Sequence, residues 1–332
     1  MDPDYRNPYT QQWNLGYAWQ FNSYSVLEFD YVHVLALHES KTININPQRR
    51  LFLDASGNEI ASRPLSAAFT AAGATVLGRI DLEASAGRSR YDGLNVSYRR
   101  RLHQRFTVNA TYTLSRALAY NGNSAAFRNR PFNPFDYFAR YDLGPTPNDT
   151  RHRFSMSGLV NLPGGLQVAP IMKWESARPY TASYGGTFDV LGVGSGRGPS
   201  HVIVTNANPS DLFATTKPPF ADAVTGVIDT VAIRNCLRAG QCSILSFDNL
   251  RGQPFFQLDT RISKNFRIKE RATLTAFFQM FDMTNRANFG NNFSNNVRDG
   301  SASFAQPVGF ITPNGVTVPH QFSGEVGVRF SF

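Results

Sequence analysis

Apolar and polar residues alternate at the C-terminal end of the chain, and this pattern constrains the fold more than any other feature of the sequence. The final segment, residues 320–332, reads HQFSGEVGVRFSF. Apart from one glycine, apolar side chains occupy every second position, at Phe322, Val326, Val328, Phe330 and Phe332. A period of two is the period of a β-strand with one apolar and one polar face. The tail therefore predicts a strand of this kind.

The same alternation occurs in eight further segments of the sequence. They are residues 12–21, 27–31, 94–99, 106–115, 154–161, 166–175, 256–263 and 273–280. In 106–115, FTVNATYTLS, one face carries Phe, Val, Ala, Tyr and Leu and the other carries Thr, Asn, Thr, Thr and Ser. Tilted strands of roughly 9–11 residues cross a bilayer. Nine strands of about this length are therefore predicted.

The chemistry of the two faces favours an outer-membrane β-barrel. Aromatic residues make up 13% of the 332 residues and charged residues only 17%, which is low for a soluble globule. Apolar-out, polar-in alternation is typical of outer-membrane barrels, and such a barrel must close because lipid cannot satisfy an open edge. The longest nearly apolar stretch, Ala67–Gly78, is too short for a membrane helix. The alternative is a soluble all-β protein whose aromatic faces pack in a dry interior.

The predicted connections alternate in length, which is a second and independent indication. Short links lie at 22–24, 102–105, 163–165 and 267–270, and long ones at about 35–90, 116–150, 177–253 and 284–320. Outer-membrane barrels have short periplasmic turns and long extracellular loops. The first and ninth strands then both run inward, whereas a closed single-chain barrel has an even number of strands. We therefore expect residues 1–332 to be the C-terminal portion of a larger barrel.

The net charge, the two cysteines and the absence of catalytic motifs indicate which classes of function are not expected for this chain. The net charge of +9 admits anionic partners, but the arginines form short groups and no basic stripe, so we expect no nucleic-acid partner. Cys236 and Cys242 have no zinc-site companions; they form either a small disulfide ring, which we expect, or two unrelated thiols. The glycine-rich run 185–198 follows no buried parallel strand, and no HExxH or GxSxG motif occurs. We expect no enzyme activity, no metal and no cofactor.

Two groups of residues are candidates for binding. The polar face carries charges that we expect to form ion pairs in the lumen, with contact to a plug or substrate as the alternative: Glu28, Asp30, Lys173, Glu175, Asp259, Arg261, Glu325 and Arg329. The predicted loop 129–142 carries aromatic residues that are candidates for ligand capture, with a self-packed loop as the alternative: Phe132, Phe135, Tyr137, Phe138 and Tyr141.

Six segments, in order, carry a family resemblance: NPYTQQWNLGYAWQF, YDGLNVSYRRRLHQRFTVNATYTLS, NDTRHRFSMSGLVNLPGG, SARPYT, FFQLDTRISKNFRIKERATLTAFFQMFDMTNRANFG and the terminal Phe332. Together they resemble the C-terminal barrel of TonB-dependent receptors, and especially the Oar-like group, which has a carboxypeptidase-regulatory-like domain at its N-terminus. The resemblance implies an outer-membrane barrel of 22 strands filled by a plug. The first strand here would be the fourteenth.

The resemblance also implies a function, a location and partners. It implies part of an energy-coupled uptake system for a large or scarce substrate, in the outer membrane of a Gram-negative-type bacterium. The alternative is a structural or adhesion-type barrel without active transport. The expected partners are outer-membrane lipid and lipopolysaccharide, the barrel-assembly machinery, an unknown substrate, and the TonB complex only through a preceding part. We expect that signal peptide, plug and TonB box are absent from this chain, and that Val328, Phe330 and Phe332 form the C-terminal assembly signal.

Overall fold

The computed structural model describes residues 2–53, 59–73, 78–103, 105–120, 131–184, 189–193, 201–206, 220, 227–268, 272–297, 303–310 and 321–332. Within these residues β-strands are the main regular structure, joined by long irregular connections, with two short helices at Pro64–Ala71 and Thr230–Arg238. Neither helix of this part of the chain has the length and apolar character that a membrane span requires. Side chains therefore reach their positions mainly through strand register.

The strands are named in chain order. They are β1 (Tyr9–Asn22), β2 (Ser25–Asn44), β3 (Arg49–Leu53), β4 (Glu59–Ser62), β5 (Asp81–His103), β6 (Phe106–Tyr120), β7 (Leu143–Pro145), β8 (His152–Leu162), β9 (Leu166–Glu175), β10 (Pro179–Tyr180), β11 (Ile203–Thr205), β12 (Cys242–Ile244), β13 (Leu250–Arg251), β14 (Phe255–Ile268), β15 (Ala272–Phe281) and β16 (Ser323–Ser331).

Nine long strands form one antiparallel sheet in which each strand pairs with the next long strand along the chain. Their order is β1-β2-β5-β6-β8-β9-β14-β15-β16, and the short strand β7 extends the sheet beside β6. All nine predicted strands are present, in the predicted order, and the all-β antiparallel fold is confirmed. The short strands form three separate two-stranded sheets: β3 with β4, β10 with β13, and β11 with β12.

The register separates the apolar and polar residues onto opposite faces, because directly opposed side chains of neighbouring strands share a face. One continuous apolar row crosses seven strands: Tyr17, Phe29, Val96, Tyr112, Phe154, Trp174 and Phe256. The adjacent row on the other face crosses the same strands: Ala18, Glu28, Ser97, Thr111, Ser155, Lys173 and Gln257. The sheet thus has one apolar face and one polar face.

The strands β2 and β5 are longer than the sequence predicts, so the prediction of a loop over 35–90 is wrong at both ends. Residues beyond the alternating segments continue to pair, for example Leu35 with Arg90 and Lys41 with Ala84. Irregular pairing near Glu39 interrupts the period of two, and side-chain hydrogen bonds such as Thr42 to Glu83 support the ladder instead. The alternation of apolar and polar residues ends where neither face has to be apolar. The strands themselves continue beyond that point.

Connections at the two ends of the sheet differ in length, as predicted. The short links between β1 and β2, β5 and β6, and β8 and β9 lie at one end, and the third of these is a single 3-10 turn, Pro163–Gly165. The long connections β2–β5, β6–β8, β9–β14 and β15–β16 lie at the other end. We refer to the described residues within 131–151, 176–254 and 282–310 as the loop cap.

The loop cap has a hydrophobic core of its own. Its buried members come from all three connections and are Phe132, Tyr180, Ala182, Tyr184, Val190, Val202, Ile203, Ile228, Ile233, Cys242, Leu250, Val297 and Phe304. The β2–β5 connection also joins it, since the backbone N–H of Gln48 donates to the carbonyl of Val193 at 2.8 Å. These connections therefore fold together, in contrast to independent surface loops.

The sheet has two free edges among the described residues, formed by β1 and β16. Neither edge strand has a partner on its outer side in the sheet order. Successive antiparallel pairings alternate the strand direction, so the first and ninth strands run the same way, from the loop cap toward the short turns. Direct pairing of β1 with β16 would therefore be parallel.

Candidate functional site

The loop cap positions its segments with a capped helix and a disulfide. Asp229 begins the helix Thr230–Arg238, and its carboxylate accepts hydrogen bonds from the backbone N–H groups of Val231 and Ala232 at 3.0 and 2.9 Å. Cys236, near the end of the helix, is bonded to Cys242 on β12 with an S–S distance of 2.01 Å. Because β12 pairs with β11, the bond fixes the helix beside a two-stranded sheet.

Replacing both cysteines by serine is expected to destabilise this part of the loop cap by about 2 kcal/mol. The bond closes a short loop with a sequence separation of 6, and loop-closure entropy for such a loop is of this size. Hydrogen exchange of residues 230–245 in the Cys236→Ser/Cys242→Ser double variant would measure the loss, with the reduced wild-type protein as control. Unchanged protection in both samples would contradict the prediction.

A fully buried histidine links two of the long connections. His201 and Asp142 both have 0% side-chain exposure, and the His201 Nε2 lies 2.9 Å from Asp142 Oδ1. The other ring nitrogen, Nδ1, lies 2.5 Å from the carbonyl oxygen of Leu245. The Leu245 carbonyl is an acceptor, so Nδ1 carries a hydrogen, and a second hydrogen lies between Nε2 and the Asp142 carboxyl group. The arrangement therefore joins a buried imidazole to a buried acid inside the cap.

Aromatic rings enclose this buried pair. The centroids of Phe132, Tyr141 and Phe247 lie 4.7, 5.5 and 4.0 Å from that of His201. Burial, followed by the neighbouring Asp142 charge, raises the pKa of the Tyr141 phenol to about 12. The sequence carries no local signal for this site, because His201 and Asp142 are 59 positions apart in unrelated segments.

The five predicted ligand-capture aromatics do not form one site. Phe132 and Tyr141 pack inward around His201, as the self-packed alternative expects. Phe135 and Phe138 remain 47% and 40% exposed and each carries an arginine over its ring, Arg49 at 5.1 Å and Arg88 at 4.3 Å. Tyr137 contributes its backbone carbonyl, which accepts a hydrogen bond from the buried Lys41.

The eight predicted lumen-facing charges all lie on the polar face of the sheet, but they are spread over it and form no single cluster. Glu28 lies 3.2 Å from Arg99, and Glu175 lies 2.8 Å from Arg178 and 4.0 Å from Arg153. These arginine partners were not predicted. Partly exposed pairs of this kind contribute about 0–1 kcal/mol each. These ion pairs make the face polar but contribute little to the stability of the sheet.

The remaining predicted charges contact polar or aromatic neighbours. The Asp259 carboxylate accepts hydrogen bonds from Gln257 Nε2 at 3.1 Å and from the backbone N–H of Asp282 at 2.8 Å. Arg261 stacks on the Phe277 ring at 3.9 Å. By register, Asp30 lies opposite Gly16 and Asn95, Lys173 opposite Ser155 and Gln257, Glu325 opposite Gln279, and Arg329 opposite Thr275.

Asp248 is a buried carboxyl in the loop cap whose ionisation is disfavoured. Burial raises its pKa to about 6, against the opposing effects of the Thr181 hydrogen bond and the Arg251 charge. The Thr181 Oγ1 donates to Asp248 Oδ1 at 2.7 Å. The backbone of Asp248 has a positive φ of 49°, a conformation that aspartate and asparagine tolerate better than most residues.

Asp248→Asn is expected to stabilise the loop cap at pH 8 and to remove part of its pH dependence. The folded pKa lies above the ordinary value of 3.8, so the folded state binds more protons between about pH 4 and 6. Stability therefore rises as pH falls through this window, by up to about 3 kcal/mol. Hydrogen exchange of the cap at pH 4 and pH 8 would test this, and equal pH dependence in both proteins would contradict it.

The three residues of the predicted assembly signal lie at the β16 edge. Val328 and Phe330 oppose Ala276 and Leu274 on the apolar face, and Phe332 at the chain end is 98% exposed. The Phe330 and Phe332 rings lie 6.0 Å apart. Elsewhere, in the described residues, no group of three or more His, Cys, Asp and Glu side chains is arranged to hold a metal ion.

Comparison with known proteins places these features in context. A family model described as "Outer membrane beta barrel domain" matches residues 1–317. No curated protein sequence matches the chain. The chain is similar to the Escherichia coli outer membrane transporter YddB (12% identity, TM-score 0.44, 98% of this chain and 32% of that one). It is also similar to the E. coli ferric-catecholate import receptor Fiu (9% identity, TM-score 0.42, 90% and 26%). The chain thus spans about a third or less of either protein.

Proposed function

The chain belongs to the outer membrane beta barrel domain family and is located in the cell outer membrane, and on that premise we propose that it is part of the barrel of an energy-coupled, TonB-dependent uptake receptor. The observation that carries the proposal is a sheet with one continuous polar face beneath a folded loop cap. In a closed barrel that face lines the lumen and the apolar row contacts lipid. The chain would bind and pass a substrate and would have no catalytic activity.

The free edges support a barrel larger than nine strands. In lipid an unpaired strand edge is prohibitively costly, because no water satisfies its backbone groups. The two edge strands run in the same direction, and a second copy in the same membrane orientation presents that direction again, so both closures would be parallel. We therefore propose that an odd number of additional antiparallel strands joins β16 back to β1. With thirteen additional strands the barrel would have the 22 strands of barrels that enclose a plug.

Photo-crosslinking in cells tests the proposed function. A benzoylphenylalanine at Ser155 on the polar face is expected to cross-link to a plug segment of the same receptor, and an uncoupler that collapses the proton gradient should change the yield. The same probe at Met156, on the apolar face of the same strand, is the matched control and should cross-link lipid only. Absence of a protein cross-link at Ser155, together with ion conduction by the purified protein as a permanently open pore, would contradict the proposed function. That result would favour the structural or adhesion-type alternative.

The barrel-assembly machinery is a proposed partner at the C-terminal strand. Deletion of Phe332 is expected to lower the amount of folded protein in the outer membrane severalfold, because its exposed ring continues the apolar row of β16. Ser331→Ala, on the polar face of the same strand, is the control. Heat-dependent mobility in gel electrophoresis would quantify the folded fraction, and equal fractions for both variants would sink this proposal.

A further inference from the structure

Two arginines that line one cavity, Arg88 and Arg90, lie on the lipid-facing side of the sheet near the loop cap, and Arg116 lies on the same face opposite Asp92. Arg90 lies opposite Leu35 and Leu118, and Arg88 lies opposite Leu37, on the face that carries the apolar row. Arg100, on the same face, lies at the other end of the strand. Ten residues of tilted strand separate Arg100 from Arg90, about 33 Å along the strand and about 25 Å across the membrane. Arg88 and Arg90 therefore lie at the level of the outer-leaflet headgroups.

A cavity opens between these arginines. It has a volume of about 270 Å³ and is lined by Leu35, Arg88, Ser89, Arg90, Leu118, Tyr120 and Leu143. Three of the lining side chains are leucines and two are guanidinium groups. A cavity with an apolar wall and a cationic rim, at the border of the hydrocarbon, matches a molecule with an anionic head and an apolar chain.

The Arg88 side chain is held in place by aromatic residues. Its guanidinium lies 5.0 Å from the Tyr120 ring and 4.3 Å from the Phe138 ring, and Nη2 lies 3.4 Å from the Tyr120 hydroxyl. Among the described residues Arg88 has no carboxylate partner. The Lys41 ammonium lies over the same two rings, at 5.6 and 5.5 Å, but it is fully buried, donates to the Tyr137 carbonyl and is influenced by Asp136 and Asp142. Arg88 is therefore the cation of this pair whose guanidinium lines the cavity.

Arg90 has one acidic neighbour, but that carboxylate is shared. The Arg90 Nε lies 3.3 Å from Asp92 Oδ2. Asp92 Oδ1 also accepts a hydrogen bond from the Tyr31 hydroxyl at 2.9 Å and lies 2.7 Å from His33 Nδ1. Asp92 therefore has two further polar partners, and the other guanidinium donors of Arg90 face no carboxylate in the described part of the chain. A planar guanidinium with free donors suits a phosphate group.

We propose that Arg88 and Arg90 bind the phosphorylated headgroup of an outer-leaflet lipid, with its acyl chains along the leucines and the apolar row beneath. The lipid, and not free phosphate, is the occupant, because three of the seven lining residues are leucines and the two arginines lie on the face that carries the apolar row. The site depends on family membership, strand register and the contacts of Arg88 and Arg90, and not on energy coupling. It would therefore stand even if the barrel proved not to be energy-coupled.

Binding of lipid A, the phosphorylated membrane part of lipopolysaccharide, to the protein purified from outer membranes tests this site. The Arg88→Gln/Arg90→Gln double variant is expected to bind lipid A at least about tenfold more weakly than wild type, because charge-assisted hydrogen bonds are lost. Arg100→Gln, on the same face at the opposite end, is the matched control. Native mass spectrometry in detergent would give the bound fractions.

A second measurement needs no variant and keeps the test decisive if the double variant misfolds. Wild-type protein should bind dephosphorylated lipid A at least about tenfold more weakly than lipid A. Equal binding of the two lipids, or equal binding by wild type and a folded double variant, would overturn the proposal. Displacement of lipid A by inorganic phosphate at an equal concentration would also overturn it, since the site would then recognise phosphate without the lipid.

Discussion

Val96→Arg is expected to destabilise the assembled barrel by about 2–4 kcal/mol, the cost of an arginine facing lipid near the bilayer midplane. Val96 lies in the apolar row between Phe29 and Tyr112, four residues from Arg100 at one interface and four from Asp92 near the other. Lipid offers no partner for the new charge, so only snorkelling and local water would relieve it.

Ser97→Arg is the matched control, one residue further along the same strand. Ser97 lies on the polar face opposite Glu28, so a guanidinium there meets water and a carboxylate. We expect a change of less than about 1 kcal/mol. Urea titration of both variants in phospholipid vesicles would measure the difference. Equal destabilisation at the two positions would mean that the two faces of the sheet are not lipid and lumen, and the membrane interpretation of the alternation would fail.

Asp142→Asn is expected to destabilise the loop cap by about 1–3 kcal/mol, because it removes the acidic hydrogen-bond partner of the fully buried His201. Both side chains are fully inaccessible, so water cannot replace the lost carboxylate. The effect should reach both connections that the pair joins. Hydrogen exchange of residues 131–145 and 201–206 would then increase together.

Asp136→Asn is the control for this prediction, since Asp136 lies in the same connection but is exposed. Its carboxylate accepts one hydrogen bond, from the backbone N–H of Phe138 at 3.1 Å, and we expect a loss of less than about 1 kcal/mol. If Asp142→Asn changed exchange no more than Asp136→Asn, the pair would not hold the two connections together.

The nine strands could be predicted because lipid on one side and water on the other impose a period of two on each of them. The outer parts of β2 and β5 could not be predicted, because they lie where this restriction on the two faces is absent. Around Arg88, Ser89 and Arg90 the strand lies beyond the apolar band, so neither face is restricted to one chemistry. Strand structure there depends on cross-strand pairing, which a single segment does not reveal.

The loop cap was far less predictable than the sheet. Phe132 and Phe135 are three residues apart in similar surroundings, yet one is buried at 6% exposure and the other is open at 47%. The difference arises from His201 and Phe247, which approach from a distant connection. The sequence shows that this segment is rich in aromatic residues but not which of them are buried, because no local pattern encodes which distant segment will cover each ring.

The shared core of the long connections has a consequence for how the extracellular entrance could open. A connection that swung aside alone would expose its part of that core, such as Phe132 or Val297, and would break contacts with its neighbours. Movement of one connection alone therefore exposes apolar surface to water, whereas movement of the whole loop cap as one unit keeps its core buried. Under the proposed uptake function, a cargo molecule would be admitted by the loop cap as a unit and not by one connection at a time.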